Sequence, residues 1–421
     1  MNANAREVAF DLLNQWKQSK ALADELLGET LDKVQLTIPD RSLVTELFYG
    51  CLRNKLALDF LTMQVASHAP RRPVAIILHL GLYQIFFLDK IPAHAAVHET
   101  VALAKRHASS AEAGFVNAAL RRASNEREIM RAKLDALGKD EPWVFYSHPR
   151  WLFERWQTRW GNEQTIALCE WNNTPPSIFI RTNSLKLTGQ PSSLAVEPVS
   201  FHPLAWKVVN AAGIFHTKSW KNGEFYVQDP STLIAVDVLD PQPGERVLDV
   251  CSAPGGKTTY IAAKMQNRGE IIAADSSNSR LGLVGENCRR LGVTIVATIA
   301  CEGTRLDRCL RGDQFDRVLV DAPCSNTGVL RRRVDLRWRI EEKEIARLAV
   351  LQLQLLGAAA EFTKPGGVLV YSTCSIEPDE NERVVEAFGK SHPQFALETT
   401  RSTFPPRDEV DGAFVARWRR H

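Results

Sequence analysis

Apolar side chains recur every three to four residues over Ala5–Trp16, Arg41–Ala66, Val74–Leu88, Ala95–Arg106 and Glu112–Arg122, the spacing that lines one face of an α-helix. Few strand signals interrupt them, so residues 1–142 are predicted to form an all-α domain. The longest apolar run, VAIILHLGLYQIFFL at Val74–Leu88, is broken by His79 and Gln84 and falls short of the roughly 20 residues of a spanning helix. It reads as a buried core helix. Over residues 143–232 the helical period fades. Aromatic and proline clusters (EPWVFYSHPRWLFERW, NNTPPSIFIRTN) mix with short β-like pieces at Ser177–Thr182, Trp206–Val209 and Glu224–Val227, predicting a small α+β linker domain. Residues 233–421 form the third predicted domain. Within it, strand-like runs at Arg246–Val250, Glu270–Ala274, Ile295–Ala300, Arg317–Val320 and Val368–Ser372 alternate with helical segments such as Thr258–Met265, Ser279–Leu291 and Glu341–Phe362. That alternation is the βαβ signature of an α/β fold, a parallel sheet covered on both faces.

Composition agrees with this multidomain reading. A chain of 421 residues exceeds what one ordinary core serves, and 44% hydrophobic with 24% charged residues describes a soluble globular protein. The N-terminus, MNANAREVAFDLLNQWKQSK, lacks the apolar region and cleavage site of a secretory signal, so a cytoplasmic location is expected, with no membrane partner. The eight cysteines include no C-x-x-C pair and no Cys/His cluster at zinc spacing; they are expected to be free thiols, with no metal bound. A formal charge of +3 does not by itself mark a nucleic-acid binder. The cations are nevertheless clumped at Arg71–Arg72, Arg121–Arg122, Arg331–Arg333 and 417–420, which leaves room for local basic patches.

Chemistry emerges at the residues just beyond each strand, because open parallel sheets bind ligands outside the carboxyl ends of their strands. The first ends in Asp249 and the loop Cys251-Ser252-Ala253-Pro254-Gly255-Gly256-Lys257, the second in Asp275, the third in Glu302-Gly303, the fourth in Asp321 and Cys324, and the fifth in Cys374. The tail GGKT invites a phosphate-loop reading, but the first glycine of that motif would fall at Cys251. The fingerprint G-x-G-x-x-G is also absent. Asp275, twenty residues beyond Gly255, stands where an acidic side chain accepts the hydroxyls of an adenosine ribose. A nucleoside without a pyrophosphate is indicated, and S-adenosylmethionine fits, its carboxylate toward the loop, its ribose at Asp275 and its adenine near Glu302. Cys324 and Cys374 differ from the other cysteines in lying just past strand ends, and the 50 residues between them allow one crossover helix. They can converge in one cleft. Which of the two would act is open on this reading.

CSAPGGKT at 251, DAPCSNTG at 321 and YSTCSIEPDENE at 371 resemble the motifs of the NOL1/NOP2/Sun family of RNA cytosine-5 methyltransferases. LFYGCLRN, LGLYQIFFLDKIPAHAAVHETV and GFVNAALRR, in the first 140 or so residues, are similar to the NusB RNA-binding fold. Together they resemble the bacterial Sun/Fmu type, which implies methylation of a cytosine in small-subunit (16S) ribosomal RNA, with S-adenosylmethionine as cofactor and a Rossmann-like class I methyltransferase domain. The resemblance assigns Cys374 as the nucleophile that adds to C6 and Cys324 as the residue assisting breakdown of the adduct; a carboxyl group beside N3 would stabilise that adduct, and Asp321, three residues before Cys324, is the candidate. It also makes Arg181 and Asn183 of an Arg-x-Asn motif candidate RNA contacts. Arg331, Arg332, Arg333, Arg337 and Trp338, a basic and aromatic loop, suit phosphates and a stacked base. Two departures stand out: Glu302 replaces the family's Asp, and Val334 replaces a proline in the arginine loop. A methyltransferase of transfer RNA and a non-catalytic RNA-binding homologue are the alternatives. A monomer is expected.

Overall fold

The computed structural model describes residues 4–312 and 314–421, which divide into two compact units: residues 1–174 with 330–340, and 175–329 with 341–421. The helix at Arg150–Asn173 thus groups with the helical unit, and the short strands after it with the α/β unit, so the grouping differs from the three expected segments.

In the helical unit the expected helices are present at Ala5–Trp16, Ile38–Arg53, Lys55–Val65, Arg72–Phe87, Ala93–His107 and Ser110–Asn125. The run expected as one helix over Arg41–Ala66 breaks at Asn54, whose Nδ2 donates to the Gly50 carbonyl at 3.0 Å and closes the first helix. Thr37 and Ser109 cap their helices by accepting from the amides of Asp40 and Glu112, supplying partners for otherwise orphaned N–H groups. Leu47, Phe48, Leu58, Leu78, Leu82 and Leu120 are buried in one core. Helices at Ala23–Lys33, Arg127–Asp140 and Arg150–Asn173 lie outside the expected set. The first two bury few side chains, and Gly161, at φ +77°, interrupts the third.

The second unit carries two sheets. The strands β1 (Phe179–Thr182), β2 (Val196–Pro198), β3 (Ala205–Val208) and β4 (Phe225–Val227) form an antiparallel sheet in the order β2-β3-β1-β4. Seven further strands come next: β5 (Arg246–Val250), β6 (Glu270–Asp275), β7 (Val296–Ala300), β8 (Phe315–Asp321), β9 (Thr363–Thr373), β10 (Phe395–Ser402) and β11 (Phe414–Arg420). They make a mixed sheet ordered β10-β11-β9-β8-β5-β6-β7. The five expected strands are its parallel part. Side chains alternate between faces as a pleated strand requires: Val247, Ile271, Leu319 and Val370 share one core with the helices at Ile234–Leu239, Gly256–Lys264 and Asn278–Leu291. Leu248, Val250, Val320 and Leu369 pack on those at Glu342–Glu361 and Glu382–Ser391. The antiparallel pair β10 and β11 escapes the apolar-run criterion because its exposed positions are charged; Arg417 and Arg419 both pair with Glu398 across it.

Candidate active site

The strands β8 and β9 lie side by side with Asp321 opposite Ser372. Each then leaves the sheet and turns, and this register brings the Sγ atoms of Cys324 and Cys374 within 3.3 Å. Two backbone features let the turns approach. The Gly328 amide donates to the Cys374 carbonyl at 3.0 Å, where a Cβ on residue 328 would stand only 2.6 Å from that oxygen. Asn326 adopts φ +60°, a region that asparagine tolerates better than most residues. Its Nδ2 donates to the Cys324 carbonyl at 2.7 Å, which leaves Oδ1 to accept from the Cys374 thiol at 3.1 Å.

The thiols differ in surroundings. Cys324 is buried and Cys374 half-buried. The hydrogen bond with Cys374, then burial and the negative charge of Glu380, push the Cys324 thiol well above its ordinary pKa. Lys257 Nζ donates to Asp321 Oδ2 at 2.7 Å. Burial alone would lower the lysine, but Asp321 outweighs it, and Cys374 and Asp249 add to the pull. The ammonium is therefore held firmly charged beside the thiol pair.

The glycine loop between β5 and the helix at Gly256–Lys264 forms the other half of the cleft. Gly255 takes φ +100°, with Val284 Cα 3.2 Å from where a Cβ would be. Cys251 begins the loop at φ +63°, its thiol pushed up to about 12 chiefly by burial. Asp275 is buried and accepts from the amides of Ala253 at 3.2 Å and Ser277 at 3.0 Å, so it fixes the loop at Ala253-Pro254. Glu302 is exposed just past β7. Asp249, expected only to end its strand, lies fully buried: Oδ2 accepts from Thr258 Oγ1 at 2.6 Å, while Oδ1, like Ser252 Oγ, has no partner. Burial raises its carboxyl to about 7.

Residues 236–419 match the 16S rRNA methyltransferase RsmB/F family, residues 3–125 the NusB family, and residues 148–192 the ferredoxin-like domain of RsmF/B-like methyltransferases. A Bacillus subtilis protein named probable ribosomal RNA small subunit methyltransferase B is 36% identical, over 93% of this chain and 89% of its own. The chain belongs to the RsmB/F family of 16S rRNA methyltransferases. The ribosomal RNA small subunit methyltransferase B of Yersinia pseudotuberculosis is 33% identical over 98% of this chain and 97% of its own. The solved structure of a protein called PH0851 superposes with a TM-score of 0.81 at 25% identity, covering 99% of each chain. The fold expected of an RsmB/F methyltransferase, NusB-like helices and a Rossmann-like sheet, is the one observed.

Within this RsmB/F member, Cys251–Lys257, Asp275, Asp321, Cys324 and Cys374 gather at the carboxyl edge of the large sheet. Three of the expected RNA contacts do not lie on a surface. Arg181 is buried; it donates to Gln228 Oε1 and the Gly256 carbonyl, both at 2.8 Å, and to Thr259 Oγ1 at 3.1 Å. Asn183, also buried, donates to the carbonyls of Gly223 and Leu291. Arg181 thus braces the glycine loop and its helix, and Asn183 the end of the helix at Asn278–Leu291. Arg337 is 0% exposed inside the helical unit, where it donates to Asn173 Oδ1 at 2.7 Å and to the carbonyls of Asn172, Ser147 and Leu330. Trp338 is half-buried, its Nε1 donating to the Leu52 carbonyl at 2.7 Å. Arg331 and Arg332 are half-buried, the former stacked 4.0 Å from the Trp171 ring, and Arg333 is exposed. One expectation about the cysteines also changes: Cys301 and Cys309 are joined as a disulfide rather than free, because the turn at Gly303–Arg308 folds one back over the other. Among the described residues no group of His, Cys, Asp or Glu is arranged to hold a metal, and no helix is long and apolar enough to cross a membrane.

Proposed function

We propose that the protein methylates C5 of a cytosine in 16S ribosomal RNA, using S-adenosylmethionine and a transient bond between Cys374 and C6. The observation carrying this reading is the thiol pair, 3.3 Å apart beside the Lys257–Asp321 ion pair. C5 of cytosine is a weak nucleophile, and a thiolate adding to C6 raises its electron density; one hard step becomes two easier ones. Cys374 suits the attack because it is the less buried thiol and the Lys257 ammonium shares its surroundings. Loss of the C5 proton to a base then re-forms the C5=C6 double bond and expels the Cys374 sulfur with the C6–S electrons, and Cys324, held as a thiol, can hydrogen-bond that sulfur as it leaves. Asp321, kept in place by Lys257, is the group beside N3.

The loop fits the cofactor. Gly255 leaves room for close backbone approach, Asp275 offers the ribose a carboxylate, and the unpartnered Asp249 Oδ1 and Ser252 Oγ are buried polar atoms that want hydrogen bonds. S-adenosylmethionine bound there supplies a methyl group on a sulfonium. Contacts to RNA by the helical unit are supported by a groove of about 1080 Å³ lined by His94, His98, Lys105, Asn117 and Arg121. We place the reaction in the cytoplasm, carried out by a monomer without metal.

The test is incubation with methyl-labelled S-adenosylmethionine and either naked small-subunit RNA or transfer RNA. Label recovered as 5-methylcytosine from small-subunit RNA is expected; label confined to transfer RNA would overturn the substrate, and label on another base the chemistry.

A further inference from the structure

Beneath the thiol pair lies a carboxylate that the chemistry above does not use. Glu380 is 0% exposed. Its Oε1 accepts from the Ser325 amide at 2.8 Å and from Gln352 Nε2 at 3.1 Å, and its Oε2 accepts from both hydroxyls, Ser325 Oγ and Ser375 Oγ. Ser325 directly follows Cys324, and Ser375 directly follows Cys374. One carboxylate therefore grips both turns one residue beyond each sulfur. Gln352 completes the clasp by donating to the Pro323 carbonyl at 2.9 Å, and the two hydroxyls stand 3.1 Å apart.

An apolar side chain at 380 would fill this volume without desolvating a charge, and burying a carboxylate is unfavourable unless its oxygens are satisfied. All four donors come from, or hold, the segments that carry the thiols. We propose that Glu380 is a positioning residue of the methyl transfer, fixing the separation and direction of the Cys324 and Cys374 sulfurs. Attack needs only one sulfur at C6, whereas release needs the second thiol at hydrogen-bond distance from the first. Release is thus the step that depends on the clasp. The charge of Glu380 acts the same way, since it helps hold Cys324 as a thiol. The inference rests on the reading of Cys374 and Cys324 as the two thiols of the reaction.

The experiment uses the full chain as Glu380→Gln, which is isosteric but must turn its amide nitrogen toward either the two hydroxyls or the Ser325 amide and Gln352, and as Ser375→Ala, which removes one donor and keeps the carboxylate. Per folded molecule, kcat is expected to fall on the order of ten- to a hundredfold, as a small misplacement of reacting groups does, with KM for RNA changed less than about twofold. The covalent RNA adduct should meanwhile accumulate on a denaturing gel, as it does not for the unaltered protein. Should Glu380→Gln fail to fold, Ser375→Ala is read by the same criteria. Unchanged kcat, or kcat and adduct falling together, overturns the inference. Failure of the underlying reading looks different: Cys374→Ala would then still transfer methyl groups, whatever Glu380 does.

Discussion

Residues 319–328 and 330–340 are almost contiguous, the first expected to enter the cleft and the second to contact RNA. The first stretch lies at the carboxyl edge of the sheet: its register in β8 fixes Asp321, and Cys324 comes within one turn. The second belongs to the helical unit, where Val334 joins the core, Asp335 accepts from Trp16 Nε1 and the Ala23 amide, and Arg337 ties down four oxygens. Strand ends are placed by the sheet, and so their residues' location is set by topology. A charged loop has no such constraint, and the same arginines that would grip phosphate can satisfy buried carbonyls instead.

The difference should show first in chemistry. Cys374→Ala is expected to abolish methyl transfer with the fold intact, whereas Cys324→Ala should trap an RNA adduct visible on a denaturing gel; an adduct from Cys374→Ala instead would exchange the two roles. In the second stretch the dominant effect should be on stability. Arg337→Ala leaves buried oxygens unpaired and a void, and should lower the unfolding free energy by about 3 kcal/mol or more, measured by denaturant titration. Gly328→Ala brings the first stretch into conflict with the Cys374 carbonyl and should cost about 1–3 kcal/mol together with a loss of turnover, read from the same titration and a methyl-transfer assay.

A pH series tests Asp249. Its folded pKa of about 7 lies above the ordinary carboxyl value of 3.8, so its protonated form is the one the fold favours. Its contribution is fully present below about pH 4 and is lost as pH rises through about 7. Asp249→Asn should therefore match the unaltered protein in thermal midpoint near pH 4 and become progressively the more stable of the two toward pH 8; a constant difference would refute the assignment. The smallest effect is expected from Arg333→Ala, the exposed arginine of the second stretch. Stability should stay within about 0.5 kcal/mol, while the slope of RNA affinity against salt falls by about one.

Most of the layout of the candidate site is legible in the sequence because it depends on periodicity: five strand ends place the glycine loop, Asp275, Asp321 and both thiols on one edge. Burial of polar groups is what stays hidden. Nothing local distinguishes Arg181 under the glycine loop from an arginine facing solvent, and Glu380 sits in the acidic string PDENE, which reads as surface. Asn326 carries a usable signal, since asparagine in a tight S-N-T-G turn tolerates the left-handed conformation it adopts. The pair β10 and β11 is illegible because its outward positions carry arginines and a glutamate.

The helical unit is discontinuous in sequence, and this has a consequence for the order of synthesis. A nascent chain that has just passed residue 174 lacks Val334, Asp335 and Arg337, so the carbonyls of Ser147 and Asn172 still await their donor. That unit can close only after residue 340 has left the ribosome, by which time β5 to β8 have already been made. The two units are thus interleaved in time: the helical unit, begun first, waits until eight of the other unit's eleven strands have been made, and that unit in turn waits for its last three.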